Sequence, residues 1–376
     1  MKLIIEPADG VAPLIAAIKR ARSSVEIAVF RLDRKDVEMA LTAAAASGVR
    51  VTALIAFANR GGEKLLRQLE SRFLAEGIIV ARTSDDLTRY HGKYILIDRR
   101  VLYVLSFNFT RLDIDHSRGF GVVTSQPSCL QEAAKLFTAD CTRISYEPKV
   151  ETFVVSPANS RHVLGTFLKR ARKQLLIYDP MISDREMLRI LQERAKAGVE
   201  IKVIGRVSRR GPFEVQKLAG TRLHTRTIIR DHRQAFVGSQ SLRTAELNSR
   251  REVGLIVQDP RAIKKLVDTF ESDWTRTSTR HVPAAPETVD APVEEPTAAS
   301  ASEIATAVEV FTRELQPLAT TVKEAVRQAV VKAGDDVLHD KDVKDTMKQV
   351  VKQAVKEAVK DAVHAAQDAL PPRSVE

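Results

Sequence analysis

The chain repeats itself, and the repeat limits what it can fold into. Residues 19–55, KRARSSVEIAVFRLDRKDVEMALTAAAASGVRVTALI, align at a constant offset of 150 with residues 169–205, KRARKQLLIYDPMISDREMLRILQERAKAGVEIKVIG. KRAR meets KRAR, Leu41 meets Leu191, and Gly48-Val49 meets Gly198-Val199. Each copy reads as a helix end, an apolar strand, a loop, a helix stopped by glycine, and a second apolar strand. This is a βαβ unit, which predicts a parallel strand pair in a largely buried sheet. A second match runs at an offset of 133: YHGKYILIDRRVLYVLSFNFT (90–110) meets LHTRTIIRDHRQAFVGSQSLR (223–243). At the same offset Phe137, Asp140 and Cys141 meet Phe270, Asp273 and Trp274. The second copy is 17 residues shorter, and the surplus ANRGGEKLLRQLESRFLAEG in the first reads as an extra helix. The expected architecture is a duplicated α/β unit, repeat 1 over 1–148 and repeat 2 over 149–278.

Beyond Trp274 the composition changes. Residues 279–302 are rich in Pro, Ala, Thr and Glu and read as a flexible linker. Residues 303–370 carry a helical pattern in which Val343, Met347, Val351, Val355, Val359 and Val363 form an i, i+4 stripe beside a lysine stripe. This amphipathic tail is expected to pack on the body or self-associate. A membrane-surface position is the weaker reading, because the apolar face lacks Trp, Phe and Leu.

Charge follows the same division. Residues 1–280 hold 48 Lys/Arg and 31 Asp/Glu, a balance of +17, while 281–376 balance at −6. So basic a body favours a polyanionic or phosphate-bearing partner. No stretch reads as a signal peptide or a membrane span. Two cysteines, Cys129 and Cys141, suggest buried thiols and a reducing compartment. The expected location is cytoplasmic, either free or peripheral to the inner membrane.

The chemistry sits in the second match. His91-x-Lys93-x4-Asp98 opens a strand, where alternate side chains share a face, and His224-x-Arg226-x4-Asp231 repeats the triplet. Ser106 and Ser239 follow in register, then Asn108 in one copy and Ser241 in the other. Phosphodiester cleavage needs a neutral imidazole to attack and a protonated one to release the alkoxide. Charge developing on the phosphoryl oxygens needs fixed donors, a part that suits Lys93, Arg226, Ser106, Asn108, Ser239 and Ser241. No His, Cys or carboxylate cluster has metal-ligand spacing, so the expected reaction uses neither metal nor cofactor.

HGKYILID with LSFNFT, and HTRTIIRD with VGSQSL, resemble the paired HxKxxxxD and GSxN motifs of the phospholipase D superfamily, over roughly residues 1–277. The resemblance implies mixed, largely parallel sheets meeting at a pseudo-twofold axis with one active site between them. It implies that His91 is the nucleophile, forming a phosphohistidine, and that His224 protonates the leaving group. It also implies a carboxylate 28 residues after each histidine, orienting the histidine of the other half. Glu252 holds that position for His91, whereas Gly119 stands where the partner of His224 is expected, with Asp113 and Asp115 nearby. Arg226 for Lys, Ser241 for Asn and Leu105 for Gly are the other departures. Asp98 and Asp231 are expected to stabilise the motif through backbone hydrogen bonds. The leading reading is a phospholipase D or phosphatidyltransferase of the cardiolipin synthase kind. A nuclease acting on DNA or RNA comes second, and a non-catalytic phosphate-binding module third.

Overall fold

The computed structural model describes residues 1–57, 63–84, 87–209 and 211–279. The expected linker, 279–302, and tail, 303–370, lie outside the described residues, apart from Thr279 at the end of the last helix.

Repeat 1 runs β1 (Lys2–Glu6), α1 (Ala12–Lys19), β2 (Ser24–Val29), α2 (Lys35–Ala46), β3 (Arg50–Ile55), α3 (Glu63–Ala75), β4 (Ile79–Arg82), β5 (Arg89–Tyr90), β6 (Tyr94–Ile97), β7 (Val101–Leu105), α4 (Arg111–His116), β8 (Ser117–Thr124) and α5 (Pro127–Thr142). Repeat 2 runs β9 (Phe153–Val155), α6 (Ser160–Lys169), β10 (Gln174–Ile182), α7 (Arg185–Lys196), β11 (Glu200–Val207), β12 (Glu214–Gln216), β13 (Arg222–Leu223), β14 (Arg226–Arg230), β15 (Gln234–Gly238), α8 (Thr244–Asn248), β16 (Arg250–Arg251), β17 (Val253–Val257) and α9 (Pro260–Thr279). The KRAR segments close α1 and α6, and the surplus stretch of repeat 1 forms α3. Gly48 and Gly198 follow α2 and α7 at φ of +84° and +86°, a conformation that costs other residues energy.

One sheet runs β1-β8-β7-β6-β2-β3-β4 and the other β9-β17-β15-β14-β10-β11-β12, the same order twice. Both sheets are mixed. Along these two orders parallel pairing is confined to the βαβ side, β2-β3-β4 and β10-β11-β12, and the other neighbours pair antiparallel, while the short strands off these orders, β13 on β8 and β5 on β16, also pair parallel. The largely parallel sheet inferred from the repeats therefore holds for that side alone. The reason is local: residues 98–100 and 231–233 are three-residue hairpin loops, and so short a connection can only join antiparallel strands.

Alternation along β10 shows how the halves join. Leu175 and Ile177 belong to a core shared with α6 and α7, whereas Leu176 and Tyr178 belong to the core of repeat 1. Strands β7 and β8 lie against β15 and β17, so the sheets meet through equivalent strands. Two short strands cross between halves, β5 pairing with β16 and β13 with β8. The residue after each crossing strand is a motif histidine. Residues 1–279 thus form one compact unit.

Candidate active site

His91 and Lys93 lie just before β6, held by both halves. The His91 amide donates to the Arg251 carbonyl of repeat 2 at 2.7 Å. Its ring Nδ1 lies 2.8 Å from Oε2 of Glu252, also of repeat 2. The ring meets Phe30 edge-on, with centroids 4.7 Å apart. Lys93 is fully buried, and its Nζ donates to the His91 carbonyl at 2.7 Å. Arg31, Arg89 and Lys93 all place a cation within 5.5 Å of the Phe30 ring centre. Burial, then the nearby charges of Lys93, Arg226 and His224, holds the His91 imidazole well below its usual range. Burial raises Glu252 to about 8, with Glu246 adding to the shift. Burial lowers Lys93 to about 7, against the pull of Glu252.

The second half follows the same plan with different atoms. The His224 amide donates to the Arg118 carbonyl of repeat 1 at 3.2 Å, and Arg226 Nη1 donates to the His224 carbonyl at 2.8 Å. Oδ2 of Asp113, from α4 of repeat 1, lies 3.1 Å from Nε2 of His224. The same carboxylate accepts from the Asn108 amide and Nδ2, at 2.9 and 2.6 Å, and from Arg222 at 2.8 Å. Burial works against its charge, yet His224 and Arg222 keep it well below the carboxylate range. Burial lowers His224 to about 4, with Asp113 opposing. Each histidine therefore meets a carboxylate of the other repeat, His91 through Nδ1 and His224 through Nε2.

The family model described as cardiolipin synthase, PLD-like domain, matches residues 14–141 and again 164–274. The chain belongs to the phospholipase D-like family. Among solved structures it resembles polyphosphate kinase from Porphyromonas gingivalis, with a TM-score of 0.62 at 20% identity, over 73% of this chain and 50% of that one. It also resembles phosphatidylserine synthase from Haemophilus influenzae Rd KW20, with a TM-score of 0.57 at 9% identity, over 73% of this chain and 86% of that one. This chain thus spans half the length of the polyphosphate kinase chain. No curated protein sequence matches it.

Within this phospholipase D-like frame Gly119 stands where a carboxylate partner for His224 is expected, and one of the two acids nearby in sequence lies at that histidine instead. A Cβ at Gly119 would lie 2.7 Å from the Phe107 ring, so no side chain fits there. Asp113 supplies the carboxylate beside His224, while Asp115 is engaged elsewhere, accepting from Arg34 at 2.7 Å. Asp113 stands five residues after Asn108, as Glu246 stands five after Ser241, and that repeated acid was readable at the offset of 133. Each accepts from the backbone amide of its Asn108 or Ser241.

The four groups expected to bind phosphate have partners inside the protein. Ser106 Oγ accepts from the Phe120 amide, and Ser239 Oγ accepts from the Val253 amide. Asn108 Nδ2 donates to Asp113, and the Ser241 hydroxyl donates to Asp179. Asp179 was missed because its counterpart at the offset of 150 is Val29, which leaves no repeated signal. It is buried, accepts from Ser241 and the Leu242 and Met181 amides, and burial raises it to about 6. Asp98 accepts from the amides of Arg22, Ser23 and Ser24, and Asp231 from those of Arg172, Lys173 and Gln174, at the far ends of β6 and β14. Both cysteines are free.

Proposed function

We propose that the chain is a phosphodiesterase acting through a phosphohistidine on His91, and that its substrate is a phospholipid. The observation that carries this reading is the Glu252–His91 contact across the two repeats. An ionised Glu252 accepts the Nδ1 proton and leaves the Nε2 lone pair free to attack. Nε2 of His91 bonds to phosphorus, and the P–O bond of the departing alcohol breaks as His224 gives that oxygen a proton. Water or an acceptor alcohol then loses its proton to His224 and attacks phosphorus, breaking the P–N bond. Lys93 and Arg226 stabilise the equatorial oxygens in both steps, the role metal ions fill elsewhere. Repeats 1–148 and 149–278 each supply one histidine, and the amphipathic tail 303–370 serves packing, self-association or peripheral membrane contact.

A lipid substrate and phosphatidyl transfer are supported by the cardiolipin synthase description of the family and by the phosphatidylserine synthase likeness. Among the described residues no helix is long and apolar enough to cross a membrane. A cytoplasmic protein working from the membrane surface accords with both readings of its location. The nuclease reading is favoured by the +17 balance and by Arg31, Arg89 and Arg222 around the histidines. A non-catalytic phosphate-binding module is the remaining alternative. Phosphatidylglycerol vesicles and single- and double-stranded DNA, assayed side by side in excess EDTA, separate the three. Lipid turnover lost in His91→Ala is expected. DNA cleavage alone selects the nuclease, and activity untouched in His91→Ala removes the proposed chemistry.

A further inference from the structure

Four residues along β14 from Arg226, about 13 Å away at the rise of a strand, the chain gathers a second group of cations. The Arg230 guanidinium lies 4.3 Å above the Phe167 ring centre, and its Nη1 donates to the Phe167 carbonyl at 2.8 Å. Arg230, Arg170 and Arg172 together line two abutting concavities. Arg233 and Gln234 extend one, and Lys169 and Arg194 the other. Among the described residues Arg170, Arg172, Arg194 and Arg233 have no ion-pair partner. The lining carboxylate, Asp231, is occupied by the amides of Arg172, Lys173 and Gln174.

The duplication provides an internal comparison. In repeat 1 the same corner holds Ile97 for Arg230, Ala44 for Arg194 and Ala17 for Phe167, all buried. Arg170, Arg172 and Arg233 have arginine counterparts in repeat 1, Arg20, Arg22 and Arg100, so what repeat 2 adds to a cationic corner is two further arginines, Arg230 and Arg194. Gathering them is unfavourable: burial, and the repulsion of Arg170, lowers the Arg230 guanidinium although Asp231 opposes the shift. A bound anion offsets that repulsion.

We propose that the corner formed by Arg170, Arg172, Arg194, Arg230 and Arg233 is a second anion site, separate from the histidine centre, for a ligand carrying two or more linked phosphates. Two concavities sharing three arginines suit neighbouring phosphates better than a single one. Phe167 is buried beneath Arg230 and offers no face to a base, which favours an oligophosphate over single-stranded nucleic acid.

The test is calorimetric titration of the full chain with inorganic triphosphate, orthophosphate, a single-stranded thymidine oligonucleotide and phosphatidic acid vesicles. Arg230→Ile combined with Arg194→Ala installs the residues of repeat 1. It is expected to weaken triphosphate binding by about tenfold or more, with phosphodiesterase activity unchanged. Arg172→Gln, at an exposed position, gives the same loss if circular dichroism shows the double variant misfolded. Equal triphosphate affinity in the wild type and the folded variants overturns the site. Orthophosphate bound as tightly as triphosphate overturns the linked-phosphate assignment. Variant-sensitive binding of only the oligonucleotide, or only the vesicles, makes the corner a nucleic-acid or membrane contact instead.

Discussion

Glu252 lies 2.8 Å from Nδ1 of His91, 161 residues away in sequence and in the other repeat. Its carboxyl is raised to about 8, so below that pH the pair holds one proton too many for Nε2 to attack. Lys93, lowered to about 7, loses its charge as pH rises. Freeing His91 therefore requires that pair to lose a proton, while leaving-group protonation requires His224, lowered to about 4, to keep one. The expected kcat/KM profile is level from about 4, where His224 loses its proton, to about 7, where Lys93 loses its charge, and falls beyond. In Lys93→Arg the guanidinium keeps its charge, and the level region should extend to about 8.

The carboxylates beside the histidines should separate by step. Glu252→Gln removes support for attack and is expected to lower kcat by about 10–100-fold with every substrate. Asp113→Asn removes support for leaving-group protonation. Its loss should be large with phosphatidylglycerol and small with bis(p-nitrophenyl) phosphate, whose leaving group departs without a proton. Steady-state kinetics on both substrates checks this, and equal losses would remove His224 as the acid.

Asp179 carries a stability signature. Its folded carboxyl sits at about 6 against 3.8 for the ordinary group, so it prefers the protonated fold. That stabilisation is complete below about pH 4 and is lost as pH rises through 6. Relative to Asp179→Asn, the wild type should lose about 3 kcal/mol between pH 4 and pH 8. Urea unfolding across that range measures it, and parallel curves for the two proteins contradict it.

Two buried ion pairs lock the repeats in register. Arg118 of repeat 1 donates to Asp273 of α9 at 2.8 and 3.0 Å, and Arg251 of repeat 2 donates to Asp140 of α5 at 3.0 Å. The backbone carbonyls of these arginines accept from His224 and His91. Removing Asp273 alone leaves a buried cation and should cost about 3–5 kcal/mol, whereas Arg118→Met with Asp273→Leu should cost less. Denaturant midpoints of the single and double variants give the comparison.

The sequence alone determined the duplication, the βαβ units and the two histidine triplets, because each recurs at a fixed offset and strand periodicity ties spacing to facing; Glu252 has only Gly119 as its counterpart, and its place was implied by the family resemblance. Tertiary structure decided what crosses between the halves. Gly119 broke the pattern in one dimension, but α4 brings Asp113 to His224 from a different register, and packing against Phe107 explains why Gly119 carries no side chain. Asp179 and the Arg230 corner are invisible to a repeat search, because each is a place where one copy changed and the other did not. Antiparallel pairing of β6 with β2 joins strands distant in sequence, and side-chain periodicity is blind to strand direction. Spacing within a strand is local and legible. Which carboxylate reaches which imidazole depends on how two sheets dock, and that is set by packing across the whole unit.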